Sequence, residues 1–289
     1  MDARETALLT LNACERQGGW SDGALKKQIS AAGLDSRDAA LATHEFVVYL
    51  QPQFSAAGGG VTGAEALVRW NHPERGLIAP GDFLPLLEEN GFISNLDRYI
   101  WDKVCFRLKN WIQNGHRPVP ISVNVSRVDV YALDVVKELN ELTDRYGLDP
   151  RLLEVEITES AYAEDTTAVA AVVEGLRTAG FTVLMDDFGS GYSSLNMLKD
   201  VNVDVLKIDM KFLDMDEQSV GKGVGILEAI TNMARLMGLR LIAEGVETRE
   251  QLERLQADGC DYAQGYFLAR PMPVKALEEL LASPPGCER

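Results

Sequence analysis

Polar side chains that can bind metals or transfer protons follow the short apolar runs of this sequence. Each run has the length and the Val, Ile and Leu content of a buried strand, so these side chains would lie where strands pass into loops. They are Glu65, Asn124, Glu156, Asp186, Asp187, Lys207, Asp209, Glu244, Glu247 and Gln264. A single carboxylate at a strand end is more often a helix cap or a surface group, but seven successive strands that end in this way indicate one shared site.

One of these strands shows how the backbone would sort the side chains. Leu153, Val155 and Ile157 alternate with Glu154 and Glu156, and successive side chains of a strand point to opposite faces. The apolar side chains would therefore face surrounding helices, and the two glutamates would face the interior of the fold. Glu154 would form an ion pair low in that interior, whereas Glu156 would lie nearer its open end as a candidate metal ligand.

The charge balance fits such a cluster, although plain solubility explains it equally well. With 28 basic and 44 acidic residues, the formal net charge is −16. An acidic protein repels phosphate backbones, so binding to polymeric nucleic acid is not expected. Carboxylates that converge within a few ångströms need a counter-charge to remain ionised, and bound cations would provide it.

The ligand types favour hard cations over zinc. The chain has only three histidines, and its four cysteines form no CxxC pair. Oxygen ligands without His or Cys favour Mg²⁺ or Mn²⁺. Two such cations suit phosphodiester hydrolysis, because together they activate a water molecule and hold the attacking and leaving oxygens.

A glycine-rich loop follows the fifth predicted strand and begins at Asp187. Gly189 and Gly191 permit backbone angles that other residues avoid. One interpretation is a tight strand-to-helix turn. The favoured one is a loop that carries Asp187 to a second metal and responds to substrate or to a partner subunit.

The elements that would position these groups alternate between strand and helix. The predicted strands are 45–51, 61–68, 120–125, 152–158, 181–186, 203–209, 239–244 and 261–266. Helical patterns cover 95–114, 134–146 and 222–237, and a capping box of Thr248 and Gln251 begins another helix that stops near Gly259. Eight strands alternating with helices over about 230 residues favour an α/β fold that closes into a barrel.

The first two predicted strands are joined too closely to be parallel. A parallel connection needs a dozen or more residues, and the connecting residues 52–60 include three consecutive glycines. A hairpin is therefore expected, with the first strand antiparallel to its neighbour. Residues 1–44 form a predicted lead-in or linker of short N-terminal helices, and the barrel domain is predicted at 45–289.

No apolar stretch of about 18 residues occurs, so no membrane-spanning helix is expected. The N-terminus lacks the pattern of a signal peptide. Four scattered cysteines in a long chain are typical of free thiols in a reducing compartment. The expected location is therefore the cytoplasm.

From residue 45 to about 273 the sequence resembles the EAL-domain cyclic di-GMP phosphodiesterases. The signature Glu65-Ala66-Leu67 lies in the run GAEALVRWNHPERGLIAPGDFLPLLEENG. It is followed in order by NVS at 124–126, EITES at 156–160, DDFGSGYSSL at 186–195, LKID at 206–209, AEGVE at 243–247 and QGYFLARP at 264–271. Three letters alone carry no weight, but this ordered series is highly specific.

The resemblance implies a modified TIM-type (β/α)8 barrel with an antiparallel first strand, and it implies a metal-ligand set. One metal would be held by Glu65, Asn124, Glu156 and Asp186. The other would be held by Asp186, Asp187 and Glu244, directly or through water. Glu65 and Glu244 would thus take part in catalysis as ligands.

The resemblance also implies roles for residues around the metals. Lys207 would position the attacking water and compensate charge on the phosphate, Gln264 would support the waters on the metals, and Glu247 would lie behind the ligands. The positions that resemble contacts to the dinucleotide, or that lie beside it, are Gln51, Leu67, Arg69, Asp209 and Gln264. Glu159 would anchor the 187–195 loop, which with the next helix resembles the family's homodimer contact.

The implied reaction is hydrolysis of cyclic di-GMP to linear pGpG. One alternative is a non-catalytic receptor that binds cyclic di-GMP and passes on a signal. The intact ligand set and Lys207 favour the enzyme, because a receptor needs no activated nucleophile. A barrel glycosidase with two carboxylates is a third hypothesis, but it leaves Asn124 and Lys207 unexplained.

Overall fold

A computed structural model describes residues 41, 44–89, 91–189, 202–210 and 220–282, and the side chains of 220–226 are not included in that description. The predicted lead-in therefore lies outside the described residues except for Leu41 and His44, and so does Gly191. Two compact units divide the chain, one formed by 1–47 with 68–86 and the other by 48–67 with 87–289.

The larger unit contains a closed barrel. The strands of the described chain are β1 (Phe46–Ser55), β2 (Val61–His72), β3 (Gly76–Ile78), β4 (Ile121–Asn124), β5 (Leu153–Thr158), β6 (Thr182–Phe188), β7 (Val205–Asp209), β8 (Arg240–Glu244), β9 (Tyr262–Ala263) and β10 (Met272–Pro273). Strands pair in the order β1-β9-β8-β7-β6-β5-β4-β2, and β2 pairs with β1 to close the ring. All eight predicted strands are members of this barrel.

The first strand runs antiparallel to the other seven strands of the barrel. β1 pairs antiparallel with β9, with Phe54 opposite Ala263, whereas the pairs from β2 through β4 to β9 are parallel. β1 must therefore also be antiparallel to β2, from which only residues 56–60 separate it. The hairpin and the modified (β/α)8 barrel predicted from the sequence are confirmed.

Helices follow most of the parallel strands. They are α1 (Leu84–Glu89), α2 (Ile93–Gln113), α3 (Arg127–Ala132), α4 (Val135–Tyr146), α5 (Glu159–Glu164), α6 (Thr166–Thr178), α7 (Val220–Met237), α8 (Arg249–Asp258) and α9 (Val274–Ala282). The four helices predicted from the sequence are α2, α4, α7 and α8. The capping box at the start of α8 is confirmed, since Thr248 Oγ1 accepts from the N–H of Gln251. In the described residues no helix is long and apolar enough to cross a membrane.

A small apolar layer lies inside the barrel, and charged residues follow directly above it. Leu184, Val205 and Ile242 are buried together, and Tyr262 packs against them. Because side chains two positions apart in a strand share a face, Asp186 on β6, Lys207 on β7 and Glu244 on β8 each lie one step nearer the strand's carboxyl end. The polar groups thus line the interior at the open end of the barrel, and the apolar layer lies beneath them.

The smaller unit has its own aromatic cluster. The ring of Phe46 lies 5.4 Å from that of Trp70 and 5.7 Å from that of Phe83. Trp70 Nε1 donates to Glu45 Oε2 at 3.0 Å, and Trp70 is paired with Ile78 of β3. Arg69 belongs to this unit, so its predicted contact with the dinucleotide stays a prediction.

Candidate active site

The ammonium group of Lys207 is the centre of the site. Its Nζ lies 2.7 Å from Glu156 Oε2 and 2.7 Å from Glu244 Oε1. It also lies 3.2 Å from Asp186 Oδ1 and 3.5 Å from Glu65 Oε2. Four strands therefore deliver one carboxylate each to a lysine whose side chain is 0% exposed. The sequence predicted that these five residues would meet, and they do.

The strand registers explain why these side chains converge. Asn124 on β4 is aligned with Glu156 on β5, and Asp209 on β7 is aligned with Glu244 on β8. Aligned residues of neighbouring parallel strands face the same side of the sheet. Asn124 therefore lies on the interior face beside Glu156, while its backbone carbonyl accepts from Trp101 Nε1 at 3.0 Å and fixes the end of β4.

The carboxylates determine the charge state of Lys207. Burial alone lowers the pKa of an ammonium, but Asp186, Glu156, Glu244 and Glu65 outweigh it and raise the pKa of Lys207 well above its usual value. We conclude that Lys207 is charged at neutral pH. It cannot accept a proton there, so it acts by its charge and its hydrogen bonds.

One ammonium does not balance four carboxylates. Burial raises the pKa of Glu156 well above its usual value, with Lys207 opposing that rise and Glu65 and Asp186 adding to it. Burial likewise raises the pKa of Glu244 to about 8, against the attraction of Lys207. The site therefore holds an excess of acidic groups, and a further cation would stabilise their ionised forms.

The donor set fits a hard cation, although it is not arranged as a coordination sphere. Among the described residues, no group of three or more His, Cys, Asp and Glu side chains has the geometry of a metal site. The carboxylates of this site surround the ammonium group of Lys207, so their oxygens are spaced around Nζ and not around a metal ion. Within that same part of the chain, the buried Oε1 atoms of Glu156 and Gln264 have no hydrogen-bond partner. These are oxygen donors of the kind that Mg²⁺ and Mn²⁺ prefer.

Gln264 connects β9 to this cluster. Its Nε2 donates to Glu65 Oε2 at 2.5 Å and to Gln51 Oε1 at 3.3 Å. Gln51 in turn donates from Nε2 to the carbonyl of Ala269 at 3.2 Å. Gln264, Gln51 and Glu65 were all predicted site residues, but the contact between Gln264 and Gln51 was not predicted, because 213 residues separate the two in the chain. Only the closure of the barrel brings the first and last strands together.

The end of β6 has a constrained backbone at Asp187. Asp187 has a positive φ of 57°, which is uncommon for any residue other than glycine, and its N–H donates to Asp186 Oδ1 at 2.9 Å. Partial desolvation, followed by the charge of Asp186, raises the pKa of Asp187. Asp187 is exposed and is not among the groups that contact Lys207 Nζ, so its role as a metal ligand stays a prediction.

Comparison with known proteins identifies the family. The sequence profile of the EAL domain matches residues 35–271. This chain belongs to the EAL domain family. The bifunctional diguanylate cyclase/cyclic di-GMP phosphodiesterase MucR of Pseudomonas aeruginosa is 38% identical over 244 residues, which cover 84% of this chain and 35% of MucR. The chain thus spans about a third of the length of the curated relatives it matches.

Solved EAL domains share the fold. A structure of the MucR phosphodiesterase in complex with c-di-GMP is 37% identical, with a TM-score of 0.76 over 82% of this chain and 96% of that one. The EAL domain of Mycobacterium smegmatis DcpA is 31% identical, with a TM-score of 0.69 over 82% of this chain and 97% of that one. Phosphodiesterases of the EAL family are metal-dependent in general.

Two glycines of the EAL motifs are required by close packing. A Cβ on Gly245 would lie 3.0 Å from Asp209 Oδ1, and Gly245 has a φ of 71°. A Cβ on Gly265 would lie 2.2 Å from the backbone N of Val246. These positions hold Glu244 and Gln264 at adjacent strand ends, and sequence reasoning had not singled them out. The signal that could have found them is a glycine next to a predicted site residue at each strand end.

Three other predicted site residues are Glu247, Leu67 and Asp209. Glu247 is exposed, and its backbone N–H donates to Gln251 Oε1 at 2.7 Å. Leu67 is half-buried within β2, and Asp209 is half-buried at the end of β7. Their predicted places behind the metals or against the dinucleotide stay predictions.

Glu159 holds the loop of the EAL domain that follows β6. It is the first residue of α5 and is buried, and its Oε2 accepts from the N–H of Gly189 at 2.8 Å. Gly189 has a φ of 94°, a conformation that glycine adopts without strain. Glu159 therefore contacts the first glycine of the loop, as expected of an anchor. The loop beyond Gly189 lies outside the described residues.

We expect Glu159→Ala to lower phosphodiesterase turnover by about 10–100-fold, the usual cost of losing a residue that orients ligands. Loss of the acceptor would free Gly189, and with it Asp187. Turnover of cyclic di-GMP by Glu159→Ala is compared with that by Glu159→Gln, which keeps an oxygen acceptor and should lose less. If the two variants were equally active, the hydrogen bond to Gly189 would not be what matters.

Proposed function

We propose that this EAL domain hydrolyses one of the two phosphodiester bonds of cyclic di-GMP and releases linear pGpG. The observation that carries the proposal is the buried Lys207 ammonium within 3.5 Å of four carboxylates at the open end of the barrel. In a barrel of this type the catalytic residues lie at the carboxyl ends of the strands. The names of the curated relatives and the c-di-GMP complex of MucR support the choice of substrate.

We assign the metal ligands as two overlapping sets. Glu65, Asn124, Glu156 and Asp186 would hold one Mg²⁺ or Mn²⁺, and Asp186, Asp187 and Glu244 would hold the other. Such cations, when bound, make a water molecule more acidic and neutralise the charge of the phosphate. They also explain how a protein with a net charge of −16 accepts a dianionic dinucleotide.

The chain's own contribution to the reaction is preorganised charge. The side chain of Lys207 is buried, and a fixed positive charge is worth more in such a place than in solution. We assign it to hold the attacking water and to stabilise the negative charge that develops on the phosphate. Leu67, Arg69 and Asp209 are proposed contacts of the dinucleotide, and Glu247 is proposed to support the ligands.

The test is turnover by purified protein with Mg²⁺ or Mn²⁺. We expect cyclic di-GMP to be converted to pGpG, as followed by chromatography, and conversion to stop in EDTA. The same protein supplied with pGpG should release no GMP, because only the cyclic dinucleotide fits the proposed reaction. If the protein bound cyclic di-GMP but released no pGpG with either metal, it would be a receptor and not a phosphodiesterase.

Metal binding should also be visible without substrate. At a concentration about 100 times its dissociation constant, Mn²⁺ should raise the free energy of unfolding by about 2.7 kcal/mol if only the native state binds it. Denaturant unfolding with Mn²⁺ and with EDTA measures the difference. NaCl at the same ionic strength controls for nonspecific screening, and an unchanged midpoint with Mn²⁺ would count against the metal assignment.

We also propose a cytoplasmic location and a homodimer. The free thiols of Cys105 and Cys260 are buried in the described part of the chain, which suits a reducing compartment. The dimer is proposed from the 187–195 loop, whose described residues end at Gly189. Light scattering of the purified protein tests the dimer directly.

A further inference from the structure

Gln51 was predicted to contact the dinucleotide, but its amide has other partners in the structure. Its Oε1 accepts from Gln264 and its Nε2 donates to the carbonyl of Ala269. The side chain is buried, with 7% of its surface exposed. A buried amide with hydrogen bonds at both ends is fixed in orientation, and it exchanges them for a ligand only at a cost.

The hydrogen bond that Gln264 donates to Gln51 limits the orientation of the Gln264 amide. An amide group has two N–H donors, and in Gln264 they go to Glu65 Oε2 at 2.5 Å and to Gln51 Oε1 at 3.3 Å. With both donors used, the amide of Gln264 cannot flip without losing two bonds. Its Oε1 is then on the opposite side, where it is buried and has no partner in the described residues.

The orientation of Gln264 in turn limits that of Glu65. Glu65 Oε2 accepts a hydrogen bond from Gln264 Nε2 and also lies 3.5 Å from Lys207 Nζ. Hydrogen bonds to a carboxylate favour its ionised form and one rotamer. The connection therefore runs from the backbone at Ala269 through Gln51 and Gln264 to a candidate metal ligand.

We propose that Gln51 is a positioning residue that fixes the carboxylate of Glu65 through Gln264, in addition to the contact with the dinucleotide that the family resemblance implies. The proposal rests on the proposed function in one respect, the assignment of Glu65 as a metal ligand. It predicts that Gln51 controls the affinity for metal even when no nucleotide is present. A residue that only contacts the dinucleotide would have no such effect.

The test is Mn²⁺ binding by the full chain without nucleotide, measured by calorimetry. Gln51→Met keeps the length of the side chain and removes both hydrogen bonds, and we expect it to weaken Mn²⁺ binding by about 10–100-fold. Gln53→Met is the matched control. Gln53 lies two residues on, on the same face of β1, is 4% exposed, and its Nε2 has no hydrogen-bond partner in the described part of the chain. Gln53→Met should change the affinity by less than about twofold.

A double variant shows whether Gln51 affects Mn²⁺ binding through Gln264 or independently of it. If Gln51 acts through Gln264, the variant with both Gln51→Met and Gln264→Met binds Mn²⁺ no more weakly than Gln264→Met alone. Independent losses that multiply would overturn the proposal. Unchanged Mn²⁺ affinity in Gln51→Met would also overturn it, whatever happens to turnover, as would wild-type protein that binds no Mn²⁺.

A failure of this proposal about Gln51 can be distinguished from a failure of the proposed function. A wild-type protein that binds Mn²⁺ without releasing pGpG contradicts the proposed function, yet the same binding cycle still decides the role of Gln51. Circular dichroism checks that each variant folds. If Gln51→Met does not fold, Gln51→Asn is used, because its shorter amide cannot reach both Gln264 and Ala269 and should weaken Mn²⁺ binding in the same way.

Discussion

Replacing Lys207 by Met is expected to reduce the turnover of cyclic di-GMP by about 10²–10³-fold, the usual cost of removing a preorganised group that stabilises transition-state charge. The Michaelis constant for the dinucleotide, measured with the same metal present, should change by less than about tenfold. The physical reason is that the charge of Lys207 matters most when negative charge develops on the phosphate. An equal loss in turnover and in binding would make Lys207 a binding residue only.

The same variant should be less stable when metal is removed. Lys207 is the counter-charge to four carboxylates, and removing one partner of a buried ion pair typically costs about 3–5 kcal/mol because the remaining charge is uncompensated. Mn²⁺ should recover part of that loss. Lys137→Met is the control, since Lys137 is 67% exposed and lies 3.9 Å from Glu141. If Lys207→Met were as stable in EDTA as wild type, Lys207 would not be the internal counter-charge.

Replacing Glu65 by Gln should have an effect of comparable size on turnover but the opposite effect on metal-free stability. The change keeps the shape of the side chain and removes a charge from the proposed ligand, so turnover and Mn²⁺ affinity should each fall by at least about 100-fold. In EDTA the free energy of unfolding should stay equal or rise, because fewer carboxylates then repel one another around Lys207. Both quantities are measured on the same preparation.

Glu154→Gln is the matched control for Glu65→Gln. Glu154 is also a buried glutamate of the barrel interior, and burial raises its pKa, with Arg240 as the strongest opposing charge. It is not one of the four carboxylates within 4 Å of Lys207 Nζ in the described residues. We expect near-normal turnover from Glu154→Gln. Near-normal turnover from Glu65→Gln as well would contradict the assignment of Glu65.

The barrel could be predicted from the sequence because each strand carries its own signal. The Val- and Ile-rich runs identified eight strands, and the short connection between the first two identified the antiparallel one. The ends of strands were less well predicted. β1 was predicted to stop at Gln51, but it continues to Ser55. The observed pairs are Tyr49–Leu50 with β10 and Phe54–Ser55 with β9, and Pro52, which has no N–H to donate, lies between them.

Pairing between strands that are distant in sequence explains the other differences between the predicted and the observed strand bounds. β2 continues to His72 because Trp70 to His72 pair with β3. β3 and β10 were not predicted, because they are too short to show the alternation of apolar and polar residues that indicates a strand. β9 was predicted over 261–266, yet it ends at Ala263. The N–H of Gln264 still donates to Ala243, but Gly265 then passes against the backbone of Val246, too close for any side chain.

The candidate site was predictable as a set of residues but not as a set of contacts. Strand alternation places Glu65, Glu156, Asp186, Lys207 and Glu244 on interior faces, and this much follows from local sequence. Barrel closure and strand register determine which carboxylate oxygens contact Lys207 Nζ. They also determine which amide donates a hydrogen bond to Glu65. The contact between Gln51 and Gln264 is of this kind, because neither strand alone indicates what the other places opposite it.

The most direct test is the anomalous scattering of Mn²⁺ in crystals of this protein. Two anomalous peaks are expected at the open end of the barrel, each about 2.0–2.2 Å from oxygens of the proposed ligands, a typical distance for hard divalent cations of this size. Glu65, Glu156, Asp186 and Glu244 should all contact them. Crystals soaked in saturating Mn²⁺ that showed no peak there, with the four carboxylates still gathered on Lys207 alone, would contradict the metal-dependent site.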